Sequence, residues 1–175
     1  ADAMTGARLA RVRRYVGRDT FLCTYGDGLA DIDLDALVAF HRSHGKLATV
    51  TAVRPPSRFG ELELDGSTVA SFREKPQVST GRINGGYFVF EPRVFDYLSD
   101  DAECVLEREP LQRLAAEGQM MAFHHDGFWM PMDTPREHAR LNEIWASGAA
   151  PWRPDLLRPT MLAPAPTRVG GLVMR

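Results

Sequence analysis

Two aspartates stand where a folded chain could hold a carboxylate out toward a ligand. "YGDG" (25–28) sets Asp27 between Gly26 and Gly28, directly after the apolar run "FLCT". In an open α/β sheet, ligands bind beyond the carboxyl ends of the strands, and glycines let the backbone come close to them. Mg²⁺ takes carboxylate oxygen and needs only one or two such ligands from the protein. The same residues also read as a plain tight turn. "PMDT" (131–134) sets Asp133 directly before Thr134. An acid beside a helix N-terminus is favourable without any further role. Spacing alone does not say whether Asp27 and Asp133 meet.

Three further stretches carry polar chemistry. In "REKP" (73–76), Lys75 between Glu74 and Pro76 is either a solvated charge or a point charge for a phosphate. In "NGGY" (84–87), Asn84 offers both donors and acceptors, as hydroxyl-rich ligands require. The glycines beside it weaken a strand unless a bulge or a ligand needs the close approach. "DID" (31–33) has the Asp-x-Asp form of metal-dependent glycosyltransferases, but Asp33 reads better as a helix cap, with Asp31 in the turn before it.

The elements that must position these residues follow from period and punctuation. Residues 21–25 and 47–53 read as buried strands, and 34–44 as an amphipathic helix between them, capped by Asp33 and ended by Gly45. Strand, helix, strand at this spacing is a βαβ unit with parallel strands. Residues 61–72 read as a hairpin about Asp65-Gly66, and 83–90 as another strand. Short helices are expected at 91–98 and 109–118, each with proline near its start. Residues 119–125 are a strand candidate. "TPRE" (134–137) opens a helix with a capping box, its apolar face carried by Leu141, Ile144 and Trp145. After Trp152 the prolines and the lack of period predict a mostly disordered tail over 153–175, with the folded domain covering 1–152.

At 175 residues, with 44% hydrophobic and 25% charged residues, the chain has the composition of one ordinary globular domain. A net charge of −2 argues against a nucleic-acid partner held by a broad basic surface. Two cysteines make no disulfide framework and no metal-type spacing. No apolar stretch is long enough to span a membrane and no leader pattern opens the chain, so a cytoplasmic protein is expected.

In order, "MTGARL", "TYGDGLADIDL", "FREKP", "INGGYFVFEP" and "GFWMPMDT" resemble the sugar-1-phosphate nucleotidylyltransferases, and among them the cytidylyltransferase branch that acts on glucose 1-phosphate. The likeness runs from about Met4 to Trp152. It implies a Rossmann-like α/β fold with a mixed, mostly parallel sheet and flanking helices. It implies Mg²⁺ as cofactor, held by Asp27 and Asp133. It puts Thr5, Gly6, Arg8 and Gly26 at the nucleotide, and Glu74, Lys75, Asn84 and Gly85 at the sugar and its phosphate. Asp27, Lys75 and Asp133 become the catalytic set.

The implied reaction joins CTP and glucose 1-phosphate into CDP-glucose and pyrophosphate, for polysaccharide biosynthesis. UTP or dTTP as nucleotide, and a non-catalytic sugar-phosphate binder, are the alternatives. Homo-oligomers are also implied. The family opens with a first strand and a glycine-rich phosphate loop that are missing here, so an N-terminally truncated enzyme is expected, possessing most of the substrate half.

Overall fold

The computed structural model describes residues 2–55, 61–73, 81–153 and 171–174. Five strands form the main sheet in the order β7-β3-β6-β1-β9: β7 is Met120–His125, β3 Ala48–Val53, β6 Ile83–Phe90, β1 Phe21–Tyr25 and β9 Gly171–Met174. β6 pairs antiparallel with both β1 and β3, while β3 pairs parallel with β7 and β1 parallel with β9. Four of the five strands therefore run one way, and only β6 opposes them. The sheet is mixed and mostly parallel in direction, as expected. β1 and β3 are indeed parallel, but β6 lies between them. The βαβ reading gave the crossover correctly and did not foresee the strand inserted into it.

β6 is the central strand, and it reads as a nearly continuous apolar run because both its faces are covered. On one face Phe21 and Cys23 of β1, Phe88 and Phe90 of β6 and Ala48 of β3 pack with Leu9, Val94, Phe95, Leu106, Leu111 and Leu114. The Phe21 and Phe95 rings stack at 5.4 Å. Burial, reinforced by the charge of Glu107, pushes the Cys23 thiol up to about 12, so it is an inert core residue. The helices on this side are α1 (Thr5–Arg11), α4 (Glu109–Ala116) and the 3-10 turn Pro92–Tyr97. Helix α3 (Leu34–His44) covers the opposite face, where His41 is buried and bonded to Thr49 of β3.

Local signals explain most element ends. Asp33 accepts from Ala36 N–H at 2.9 Å, and Gly45 stops α3 in the left-handed region. Thr134 and Glu137 make both bonds of the capping box that starts α5 (Pro135–Ala146). The hairpin of β4 (Glu61–Asp65) and β5 (Thr68–Arg73) turns on Gly66-Ser67, one residue later than expected, with Gly66 at φ 59°.

Other expectations are corrected. α1 and α2 (Arg13–Val16) form where no element was expected, because neither carries a side-chain cap to announce it. Trp145 does not join an apolar face: it is half-exposed and stacks under Arg153, while Leu141 alone of its helix is buried. In the tail, Gly171–Met174 is a strand rather than disordered chain, since its backbone completes the edge of β1.

Candidate functional site

The chain leaves β1 at Tyr25, passes through Gly26-Asp27 and enters β2 (Gly28–Ala30). β2 pairs antiparallel with β8 (Trp129–Pro131), with Gly28 opposite Pro131. The ladder continues one step: Met132 N–H donates to the carbonyl of Asp27 at 2.7 Å. Asp133 is the next residue. The small sheet thus sets the backbone of Asp27 against Met132, one residue before Asp133, at the carboxyl end of β1. Asp133 is held further, because its N–H and that of Thr134 both donate to Glu137 Oε2, at 3.0 and 2.9 Å.

This geometry bears on the two readings of Asp27. A turn former would spend its carboxylate on nearby backbone, or a glycine would need positive φ. Neither Gly26 nor Gly28 has one, and no described residue bonds the side chain of Asp27 or of Asp133. Both aspartates are exposed. Exposed carboxylates without side-chain partners among the described residues are of the type Mg²⁺ takes, the ion keeping waters or phosphate oxygens in its other positions. Among the described residues no group of three His, Cys, Asp or Glu is gathered.

The small sheet is fastened to β6 by two bonds. Trp129 Nε1 donates to the carbonyl of Gly85 at 2.8 Å, and Tyr87 O–H donates to the carbonyl of Gly28 at 2.8 Å. Gly85 and Gly86 lie at a bulge. Val50 pairs with Phe88 and Ala52 with Asn84, so three residues of β6 span one of β3. A Cβ on Gly85 would stand 2.6 Å from Val53 Cγ1, and one on Gly86 (φ 78°) 2.6 Å from the Tyr25 ring. The bulge and its packing give both glycines a structural role. The bulge leaves Asn84 exposed, its Oδ1 accepting from Gly86 N–H at 2.8 Å and its Nδ2 donating to the Tyr25 phenolic oxygen Oη at 3.2 Å.

Tyr25 O–H donates in turn to Glu107 Oε1, and Thr5 O–H donates to Glu107 Oε2 at 2.7 Å. Burial first, and the Glu107 bond second, hold the Tyr25 phenol above its ordinary range, so it stays a donor.

The other expected residues fall as follows. Thr5 is committed to Glu107 and to Leu106 N–H, which it accepts at 3.0 Å. Gly6 is buried, and a Cβ there would meet Cys104 Sγ at 2.6 Å, so it serves the packing of α1. Arg8 is exposed, with Nε donating to the carbonyl of Ala3 at 2.6 Å. Glu74 and Lys75 lie outside the described residues. Asp31 pairs with His125 at 3.0 Å and Asp33 caps α3, so the plain reading of "DID" holds.

Nothing in the sequence marks Tyr25, Tyr87, Glu107 or Trp129 as a positioning residue. The aromatic residues sit inside the quoted motifs, but Glu107 carries no signal: in "EREP" it reads as one more charge before a helix.

Glucose-1-phosphate cytidylyltransferases of Salmonella typhi and Salmonella typhimurium are each 51% identical to this chain over 153 residues, 87% of it and 59% of their own length. The chain therefore spans about three fifths of the curated relatives it matches. The crystal structure of HddC from Yersinia pseudotuberculosis superposes with a TM-score of 0.61 at 21% identity, over 83% of this chain and 64% of that one, a likeness of fold. The family model described as Nucleotidyl transferase matches residues 1–142, and the chain belongs to the nucleotidyl transferase family.

Proposed function

We propose that this chain carries the metal- and sugar-phosphate-binding part of an enzyme that makes CDP-glucose and pyrophosphate from CTP and glucose 1-phosphate. The observation that supports the reading is the pairing of Asp27 with Met132, which draws the segments that carry Asp27 and Asp133 together. The similarity to glucose-1-phosphate cytidylyltransferases supports the choice of CTP and glucose 1-phosphate.

In this reaction a phosphate oxygen of glucose 1-phosphate attacks the α-phosphorus of CTP. The bond to the β-phosphate breaks, and pyrophosphate leaves with its electron pair. No covalent enzyme intermediate is needed, so the residues act by positioning two anions and offsetting their repulsion. Asp27 and Asp133 would hold Mg²⁺, which when bound neutralises phosphate charge. Asn84 hydrogen-bonds sugar hydroxyls, and Lys75, beside Glu74, supplies a point charge for the sugar phosphate. CTP as co-substrate puts the reaction inside the cell. Among the described residues no helix is long and apolar enough to cross a membrane.

The test is pyrophosphate release with Mg²⁺, glucose 1-phosphate and each of CTP, UTP, dTTP and ATP. Release with CTP alone is expected if the chain is catalytically sufficient. Release with UTP or dTTP instead overturns the base assignment. Silence with all four, together with calorimetric binding of glucose 1-phosphate, leaves a sugar-phosphate-binding part.

A further inference from the structure

Glu107 belongs to none of the motifs, yet it ties three parts of the chain together. It is half-buried in the segment before α4. Its two oxygens accept hydrogen bonds from hydroxyls of α1 and β1: Oε2 from Thr5 and Oε1 from Tyr25. No ion pair joins it to a described basic residue. It is an acceptor only, so it dictates where the Tyr25 proton points.

The consequence is felt at Asn84. With its proton on Glu107, the Tyr25 oxygen can only accept, and it accepts from Asn84 Nδ2 at 3.2 Å. On the other side of the amide, Gly86 N–H can only donate, and it meets Oδ1 at 2.8 Å. A flipped amide would face Gly86 N–H with its own N–H, and Tyr25's lone pair with its own oxygen. Both bonds would be lost. The orientation is therefore fixed from both ends, leaving one N–H and one lone pair of Asn84 for a ligand at the exposed rim.

We infer that Glu107 is a positioning residue that sets, through Tyr25, the amide orientation with which Asn84 recognises a hydroxyl-bearing ligand. The identity of that ligand as a sugar phosphate rests on the function proposed above; the orientation itself does not. A carboxamide at 107 can present its NH₂ to Tyr25. The Tyr25 proton is then released toward Asn84, and one of the two oppositions to a flip disappears, leaving Gly86 N–H alone to hold the amide.

The experiment compares the chain with Glu107→Gln and Tyr25→Phe. The first readout is the Asn84 side-chain amide pair in ¹H–¹⁵N spectra, assigned with Asn84→Asp. The second is calorimetric affinity for glucose 1-phosphate, with and without Asn84→Ala. Both variants are expected to move the Asn84 amide pair and to weaken binding about tenfold, the worth of one well-placed hydrogen bond. Neither should weaken it further once Asn84 is alanine.

Unmoved Asn84 signals in both variants overturn the inference. So do equal losses of affinity with and without Asn84, which mark a merely structural role. Tyr25→Phe keeps the ring, so it decides the matter if Glu107→Gln fails to fold. If the parent chain binds no glucose 1-phosphate, the sugar-phosphate reading falls, and the Asn84 signals alone still decide the role of Glu107.

Discussion

Strands β1 and β6 carry a hydrogen-bonded polar network at each end, and the two networks are built differently. At one end Lys46 N–H donates to His44 Nδ1 at 2.9 Å, which leaves the His44 proton on Nε2, 2.8 Å from Thr49 Oγ1. Thr49 then donates to His41 Nδ1 at 2.8 Å, and His41 Nε2–H meets Glu91 at 3.2 Å. Thr20 O–H completes Glu91 at 2.7 Å. Every proton from His44 to Glu91 has one place to go, and both imidazoles are neutral. At the other end the chain of bonds from Thr5 through Glu107 and Tyr25 reaches Asn84, and the side chains of Asp27 and Asp133 have no hydrogen-bond partner among the described residues. A closed network spends its polar groups on the fold; an open one holds them out for a ligand.

The largest expected effect tests the open end. Asp27→Ala and Asp133→Ala should each weaken Mg²⁺-dependent binding of CDP-glucose by more than about 100-fold by calorimetry. The melting temperature should hardly move, since substitutions at exposed, unbonded positions cost within about 0.5 kcal/mol. A large fall in stability would mean that the rim carboxylates serve the fold after all. The converse variant is His41→Ala. It leaves Thr49 and Glu91 short of partners and opens a cavity, for a loss of about 3 kcal/mol in denaturant unfolding. Ligand affinity of the folded fraction should not change.

Gly86→Ala sharpens the contrast by adding a stability term at the open end. Its φ of 78° and the Tyr25 ring 2.6 Å from the new Cβ predict a loss of about 2 kcal/mol. Because Tyr25 must shift, binding should weaken as well. If stability falls alone, the tie from Tyr25 to Asn84 is unimportant.

The parts of the molecule that were legible in the sequence are those with local signals. Asp33, Gly45, Thr134 and Glu137 announce their helix ends through caps that need only neighbouring residues. The insertion of β6 between β1 and β3 has no local mark, because strand order is settled by packing across the sheet. β2 and β8 are three residues each, too short to show a period, and their pairing depends on the Trp129 and Tyr87 bonds to distant carbonyls. The aspartates can be named as candidates from their motifs, yet the pairing of Asp27 with Met132 that draws their segments together has no mark in the sequence. "NGGY" is legible as a special strand start, and the structure shows a bulge at its glycines.

Acid should act on the closed end. Burial lowers His41, against the opposing pull of Glu91, and burial with the neighbouring His41 lowers His44. The folded imidazoles stay neutral below the ordinary value of 6.5, while those of the unfolded chain take up protons there. The unfolded state then binds more protons, so stability falls as pH drops through and below about 6.5. Unfolding midpoints between pH 7.5 and 5.5 should show this fall, and the double change His41→Gln, His44→Gln should flatten it. An unchanged slope would place the acid sensitivity elsewhere.

The smallest effect separates two threonines of one strand. Thr49 and Thr51 alternate onto the same face of β3, and both are fully buried. Thr49 Oγ1 relays between two imidazoles, whereas Thr51 Oγ1 has no hydrogen-bond partner among the described residues. An unmet buried hydroxyl costs stability, and valine keeps its shape while removing the polar atom. Thr51→Val should therefore stabilise by about 1 kcal/mol in denaturant unfolding, while Thr49→Val should destabilise by about 2 kcal/mol by stranding His41 and His44. Opposite signs two residues apart would show that the closed network stabilises through its bonds. Equal signs would mean that burial at this face is what matters, whatever the hydroxyls are bonded to.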